Sequence, residues 1–326
     1  MLLIALAVML IGDMAAVYAL REPSVAQAVS RRANRYYYDQ IREYWGGRID
    51  EMGGRRAYDE LKSRFAGGDA TFAHGVAHAF GDQLFKKEGM TSINVCDRGV
   101  TYGCYHGFVE AAVAARGLDA LDEVGRICVS LFGGDDTGCR HGMGHGIMEL
   151  AGTEHLADAL ADCEKVQQPA LLGCSHGVFM EYMAPERSAM DKSRPYEPCA
   201  SVPARFRPSC YFQLSTWWHD AFNGDYARMG TQCAALEEVH EREACLMSIG
   251  RTAAELHAYD TDFVLATCAG MPSSQAAFSC RAGAFWLYGD VDRTEGRDRL
   301  CDMSDAAENE RCAKAAATIY DPAAWR

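Results

Sequence analysis

Two histidines four residues apart, followed by a glutamate four residues later, form the pattern in this chain that is best suited to metal chemistry. They are His141, His145 and Glu149, within the segment 138–149. Positions i, i+4 and i+8 of a helix lie roughly along one face, so the three side chains can point the same way. Imidazole nitrogens and carboxylate oxygens are common ligands of transition metals. The segment therefore predicts metal ligation from one helical face.

A Cys-x-His-Gly motif repeats this chemistry elsewhere in the chain. It begins at Cys104, Cys139 and Cys174, and a copy without the cysteine surrounds His74. Helices packed side by side lie about 8–10 Å apart, so imidazoles from adjacent helices can meet at one ion. We therefore predict a metal-binding face with room for one or two ions. Its predicted members are His74, His78, His106, Glu110, His141, His145, Glu149 and His176.

The ligand types leave the metal open among Fe, Cu and Zn, with Mn also compatible. Four methionines accompany the motif: Met143, Met148, Met180 and Met183. They would favour copper if they pointed inward, although methionine on a helix is more often part of the core. If the site is catalytic, Glu110 or Glu149 would act as a metal ligand or as the general base.

Other catalytic signatures do not occur in the sequence. The metalloprotease order His-Glu-x-x-His and the haem-attachment motif Cys-x-x-Cys-His are both absent. A thiolate nucleophile at Cys139 or Cys174 is an alternative, because a helix N-terminus lowers the pKa of a thiol. The even number of cysteines favours disulfide pairing over that alternative.

The 14 cysteines fall into pairs that set the period of the chain. The pairs are 96/104, 128/139, 163/174, 199/210, 233/245, 268/280 and 301/312. The second members recur at steps of 35, 35, 36, 35, 35 and 32 residues, which is the period of a two-helix repeat. Under the chain-entropy model, closing loops of this length contributes roughly 2–3 kcal/mol per disulfide. We predict that each disulfide joins the end of one helical hairpin to the start of the next.

Within each period a cysteine opens the first helix, and glycine or asparagine commonly ends it. Predicted first helices are 104–116, 139–150, 210–222, 245–258 and 280–288. Predicted second helices are 154–163, 226–233, 261–268 and 293–301. Three prolines interrupt the place of the second helix between Cys174 and Cys199. The segment 184–198 is therefore predicted to be a loop that covers the metal site.

A helical-hairpin period of roughly 35 residues with an in-register cysteine pair resembles the cysteine-stapled Sel1-like and tetratricopeptide solenoids of exported bacterial proteins. The resemblance covers about residues 72–320 and is architectural, because Cys-x-His-Gly is not part of the usual consensus of those families. It implies an all-α, right-handed solenoid of about seven two-helix repeats. In such a fold the first helices form a concave surface, where we expect the metal site.

The charge and the N-terminal segment bear on partners and location. The formal net charge of −13 repels phosphates, so nucleic acid is excluded as a partner.

Residues 1–20 are almost wholly apolar and are predicted to be a signal peptide or signal anchor. No basic residue precedes this segment, whereas Arg21 follows it, which is the wrong charge order for an uncleaved exported anchor.

The cysteine content and the apolar N-terminus together predict a periplasmic or extracellular protein, attached to the membrane only through its N-terminal segment if at all. Residues 21–70 are predicted to form an N-terminal helical cap, and 71–326 the disulfide-stapled repeats. Repeats that carry histidine (71–183) precede repeats that are poor in it (199–326).

Two classes of function fit this organisation. The first is an exported metal-binding protein, with oxidoreductase or hydrolase activity at the histidine–glutamate site. The alternative is a non-catalytic solenoid scaffold, in which the His-Gly boxes are structural and the groove binds a peptide or protein partner. Aromatic residues at 217–218 and 285–288 would line such a groove or fill the core.

Overall fold

The structure is a computed structural model. It describes residues 31–66, 70–97, 99–133, 137–167, 169–184, 190–291, 293–302 and 306–325. Across these ranges the secondary structure is α-helix and short 3₁₀-helix, with no strand. The all-α prediction is therefore confirmed for the described residues. The predicted export segment, 1–20, lies outside them, as does the start of the predicted cap.

The α-helices are numbered here in chain order. They are α1 (Arg31–Met52), α2 (Gly54–Phe65), α3 (Ala70–Glu88), α4 (Gly103–Arg116), α5 (Asp119–Phe132), α6 (Thr137–Ala151), α7 (Leu156–Val166), α8 (Cys174–Tyr182), α9 (Arg207–Ala221), α10 (Tyr226–Ala234), α11 (Val239–Leu256), α12 (Thr261–Ala269), α13 (Ser274–Asp290), α14 (Arg297–Leu300) and α15 (Ala306–Ala317).

The helices that carry the motif, and their equivalents later in the chain, pack on one another in chain order. Helix α3 packs on α4, α4 on α6, α6 on α8, α8 on α9, α9 on α11 and α11 on α13. The helices between them, such as α7 and α12, pack on the hairpins to which they belong. Helix α11 also contacts α3, so the second half of the chain reaches the first histidine-bearing helix.

All seven predicted disulfides are present, and the chain has no free cysteine among the described residues. Cys163 in α7 pairs with Cys174, the first residue of α8, and Cys128 in α5 likewise pairs with Cys139 near the start of α6. Disulfides of this number favour an oxidising compartment. Within the described residues, no helix is both long and apolar enough to cross a membrane.

Glycines of the repeated motif let these helices approach one another closely. A Cβ on Gly107 of α4 would lie 1.8 Å from the carbonyl oxygen of His78 in α3. A Cβ on Gly177 of α8 would lie 2.1 Å from the carbonyl oxygen of His141 in α6. Real Cβ atoms do not approach backbone that closely, so only glycine permits this spacing. The short distance between backbones brings the histidines of neighbouring helices together.

Helix boundaries differ from the predictions mainly at the N-terminal ends. Helix α11 begins at Val239, ahead of Cys245, and α13 begins at Ser274, ahead of Cys280, because residues before each cysteine continue the helix. The predicted helix 293–301 is reduced to Arg297–Leu300, since Gly296 adopts a left-handed conformation at its start.

The proline-rich segment is non-helical over its described residues, 184 and 190–198, as predicted. Its contacts include residues of α9 and α10. The indole of Trp218 donates a hydrogen bond to the carbonyl oxygen of Pro195, and Tyr196 donates to Gln232. None of these described loop residues lines the cavity beside the histidines, which is closed instead by helices from the second half of the chain.

Candidate metal centre

The first group of histidines lies where α3 meets α4. His78 Nε2 is 3.1 Å from His74 Nε2, one helical turn earlier, and 3.1 Å from His106 Nδ1 on the neighbouring helix. The ligand atoms of these three residues lie within 4.8 Å of one another. Nitrogens bound to one tetrahedral ion at 2.0–2.1 Å would be about 3.3 Å apart. Two of the three spacings, those from His78, are therefore close to those of a metal-bound triad.

Hydrogen bonding alone does not account for this first triad. An imidazole nitrogen has a single in-plane position, which holds either a proton or a lone pair. His78 Nε2 therefore cannot form a linear hydrogen bond to His74 and His106 at the same time. A cation shared by the three nitrogens would engage all three lone pairs at once.

The other nitrogen of His74 is held by a strained segment of the chain. His74 Nδ1 is 2.7 Å from Thr101 Oγ1 and 3.4 Å from the carbonyl oxygen of Val100. The carbonyl can only accept, so this contact favours a proton on Nδ1 and a lone pair on Nε2. Val100, Thr101 and Tyr102 all have positive φ, at a cost of about 1–3 kcal/mol for each such residue. The segment thus orients His74 at an energetic cost.

A second triad is formed by α4 and α6. His106, His141 and His145 have ligand atoms within 4.8 Å of one another, and all three side chains are buried. His145 Nε2 lies 3.1 Å from His141 Nε2. The ring of His106 stacks on that of His145, with 4.8 Å between centroids and 24° between planes. His106 belongs to both triads and joins them.

The second triad has a carboxylate behind it. Glu181 Oε2 on α8 lies 2.7 Å from His145 Nδ1, and both side chains are buried. A carboxylate at this distance accepts the Nδ1 proton, which leaves the Nε2 lone pair facing His141. Histidine ligands of metals are commonly held by a carboxylate in this way. Glu181 therefore has the position of an orienting residue.

His176 extends the cluster to α8. Its Nδ1 lies 3.2 Å from His141 Nδ1, and the two rings are 4.8 Å apart. His141 thus faces His145 through one nitrogen and His176 through the other. The Nε2 atoms of His106 and His176 are buried and have no hydrogen-bond partner among the described residues. A buried polar atom without a partner is costly and indicates a place for a ligand.

Carboxylates adjoin the histidines on a further side. Glu110 on α4, Glu149 on α6 and Glu181 on α8 have oxygens within 4.8 Å of one another. Glu110 is also 3.7 Å from His78 Nδ1. Carboxylates at this separation repel one another unless a proton or a cation lies among them. The cluster therefore combines six imidazoles with three carboxylates.

Burial keeps most of these imidazoles uncharged at neutral pH. The pKa is lowered well below its ordinary value, first by loss of hydration and then by neighbouring positive groups, in His74, His106, His141 and His176. For His176 the neighbouring charge is chiefly that of Arg251. A neutral imidazole has the lone pair that metal binding requires.

The lowered pKa values predict that acid destabilises the metal-free protein. Between the ordinary histidine pKa of about 6.5 and the lower folded values, the unfolded chain binds more protons than the folded chain. The free energy of unfolding should therefore stay level from pH 8 to 7 and fall as the pH drops from 7 to 5. Urea unfolding of chelator-treated protein across this range tests the prediction. A midpoint that is unchanged or higher at pH 5 would contradict it.

A cavity of about 100 Å³ opens beside the cluster. His74, His106, His141 and His176 line one side, and the opposite side comes from α11, α13 and the C-terminal segment. Trp286 of α13 packs against Phe212, with ring centroids 5.6 Å apart, and against Tyr320, with centroids 6.1 Å apart. A cavity of this size holds several waters or a ligand with few non-hydrogen atoms.

All eight predicted site residues lie in this region. The six histidines form one continuous network, Glu110 adjoins His78, and Glu149 belongs to the carboxylate group. Of the four methionines near the motif, only Met180 lines the cavity. Met143, Met148 and Met183 are buried in the core.

Three residues at the site were not predicted from the sequence. Glu181 is offset by one position from the repeat register, although its carboxylate was a visible signal. Thr101 precedes the motif in an irregular segment, for which the repeat pattern makes no prediction. Arg251 occupies the position equivalent to His145 in a later repeat, and the packing of α11 on α9 and on α3, which the repeat pattern does not indicate, brings it to the cluster.

Fold and site together define a disulfide-stapled, all-helical protein with buried histidine triads that could hold a metal ion. Comparison with models of known protein families, with curated proteins and with solved structures gave no match. The resemblance to Sel1-like repeats therefore stays a prediction from the sequence.

Proposed function

We propose that this protein is an exported metal-binding helical-repeat protein with a catalytic histidine–glutamate centre. The observation that carries the proposal is the pair of histidine triads sharing His106, with ligand atoms within 4.8 Å of one another in each triad. Structural histidines can usually be satisfied by one hydrogen bond each. Six adjoining imidazoles, most of them neutral, are not satisfied in this way. His74 and His106 both face the same nitrogen of His78, which a shared cation explains better than separate hydrogen bonds.

The types of donor atom at the site limit which metals it suits. The cysteines are in disulfides, so thiolate ligands are excluded for the described part of the chain. Imidazole and carboxylate donors suit Fe, Cu or Zn, and one or two ions would fit the two triads. Met180 is the sulfur donor that lines the cavity and would add to the affinity for copper.

The reaction class that fits is metal-dependent oxidation or hydrolysis of a small molecule. A bound ion would supply Lewis acidity or redox chemistry at the cavity. The chain itself contributes orientation: Thr101 holds His74, and Glu181 holds His145. Glu110 and Glu149 lie at the carboxylate side of the cluster, where either can take up a proton as a general base.

The surrounding architecture is proposed to be a right-handed solenoid of about seven hairpins. The order of helix packing and the regular disulfides support this arrangement. Export to the periplasm or the cell exterior is supported by the seven disulfides, which persist in oxidising compartments.

A scaffold function is the second candidate, and the glycine contacts favour it. A Cβ on Gly250 would lie 1.8 Å from the carbonyl oxygen of Cys280, and one on Gly283 would lie 2.0 Å from that of Met247. These helices carry none of the clustered histidines, so the glycine of the motif has a packing role that needs no metal. In this case the protein would bind a peptide or protein partner.

Elemental analysis of protein purified from an oxidising compartment separates the two candidates. We expect at least one Fe, Cu or Zn ion per chain, and a loss of about half or more in the double variant His141→Ala/His145→Ala. The matched control is His155→Ala/His240→Ala, which removes two histidines outside the cluster. Metal-free wild-type protein with native helicity would reject the metal function and leave the scaffold.

A further inference from the structure

A buried arginine without a contacting carboxylate lies beside the histidine cluster. Arg251 on α11 is 5% exposed and lines the cavity. Buried arginines are normally paired, because an uncompensated charge in the interior costs several kcal/mol. Within the described residues, Arg251 forms no ion pair within 4.0 Å of a carboxylate, although Glu255, one turn later, influences it electrostatically.

The contacts of Arg251 orient it without neutralising it. Its Nη2 donates hydrogen bonds to Gln213 Oε1 at 3.1 Å and to Thr216 Oγ1 at 2.9 Å, and both acceptors are uncharged. The guanidinium lies over the ring of Phe212, 5.2 Å from its centroid. Its Nε atom is buried and has no hydrogen-bond partner in the described part of the chain. The guanidinium is thus held in place, and its Nε–H remains available to donate a hydrogen bond.

The surroundings of the guanidinium contain both signs of charge. His176 lies close enough for Arg251 to lower the pKa of its imidazole. Two carboxylates, Glu255 and Asp290, also line the cavity, and Asp290 accepts a hydrogen bond from Tyr320. His176 adds no negative charge, and the described acids act on Arg251 only from beyond 4.0 Å, so its charge has no direct ion-pair partner.

We propose that Arg251 anchors a small carboxylate ligand in the cavity, next to the histidine cluster. A carboxylate offers two coplanar oxygens, which match the paired donors of a guanidinium. The cavity volume of about 100 Å³ limits the ligand to a few non-hydrogen atoms. The inference names a substrate class for the proposed metal centre and rests on that proposed function for its catalytic meaning.

The cavity places this ligand between Arg251 and the imidazoles of His141 and His176. One oxygen pair would face the guanidinium, and the rest of the molecule would lie toward the histidines. A charged group held away from the reacting centre positions a substrate by the binding energy of its unreactive part. Arg251 is therefore a positioning residue for substrate rather than a metal ligand.

Calorimetric titration of the purified protein with acetate tests the proposal, with acetamide as an uncharged molecule of the same shape. We expect wild-type protein to bind acetate at least tenfold more tightly than acetamide. Arg251→Gln should remove that preference, and Arg251→Lys, which keeps the charge but loses the paired donors, should retain part of it. Equal binding of acetate and acetamide by wild-type protein would overturn the proposal even if Arg251→Gln failed to fold.

Metal content measured on the same preparations separates this proposal from the metal function. If the metal is present and acetate binding does not depend on Arg251, the carboxylate subsite is wrong and the metal centre stands. If acetate binding follows the expected order in metal-free protein, the subsite stands and the metal function is wrong.

Discussion

Replacing His106 by alanine should weaken the proposed metal binding more than any other single substitution in the cluster, because His106 is the residue shared by both triads. Removing an outer hydrogen-bonding partner of a ligand typically costs 10–100-fold in metal affinity, so losing a direct ligand should cost at least about 100-fold. Neither triad has another imidazole that could replace His106 as a ligand. Competition with a chelator of known affinity measures the loss.

Controls for this variant address folding. The ring of His106 is buried, so alanine leaves a cavity. His106→Gln fills most of that volume and should lose metal to a similar degree while retaining helicity. His155→Ala, on an exposed ring, should leave affinity unchanged. If His106→Gln binds metal as tightly as wild-type protein, the shared-ligand assignment is wrong.

Replacing Gly107 by alanine should strongly destabilise the fold. The added methyl group would lie 1.8 Å from the carbonyl oxygen of His78, and the atom it meets is backbone, which cannot rotate away. Helices α3 and α4 must therefore separate. Overpacking of this kind typically costs 1–3 kcal/mol and sometimes more, so we expect a loss of at least about 2 kcal/mol in the free energy of unfolding. Urea unfolding with the disulfides intact measures it.

A matched glycine gives the opposite expectation. Gly47 lies within helix α1, and a Cβ there would meet no atom within 4 Å. Gly47→Ala should raise stability by up to about 1 kcal/mol, because alanine is the better helix former. Gly177→Ala, which meets the carbonyl oxygen of His141, should behave like Gly107→Ala. Equal stability of Gly107→Ala and Gly47→Ala would contradict the close-packing explanation.

The repeat pattern predicted those parts of the fold that depend on neighbours in the sequence. The spacing of cysteines predicted every disulfide, because each bridge closes a short loop between adjacent hairpins. The register of Cys-x-His-Gly likewise predicted that His106, His141 and His176 would lie side by side. Such contacts link residues one period apart, and a period can be measured in the sequence.

Contacts between distant repeats could not be predicted in this way. The packing of α11 on α3, and with it the position of Arg251, depends on how far each hairpin rotates relative to the last. No spacing in the sequence records that rotation. Glu181 could not be predicted either, because its position is offset by one from the repeat register and only the packing of α8 on α6 brings it to His145. The proline-rich loop was expected over the site, but Trp218 and Gln232 hold its described part elsewhere.

The contact between α11 and α3 has a consequence for the order of events during biogenesis. All six clustered histidines precede residue 177, so the ligand set is complete before α11 and α13, which close the cavity, have left the ribosome or the translocation pore. An ion can enter while that side is still open. Once the later helices dock, they cover the side of the cluster formed by His141 and His176, whereas His78 and Glu110 stay partly exposed. The lifetime of an ion on the covered side would then depend on how often the later helices open, as well as on how strongly the imidazoles hold it.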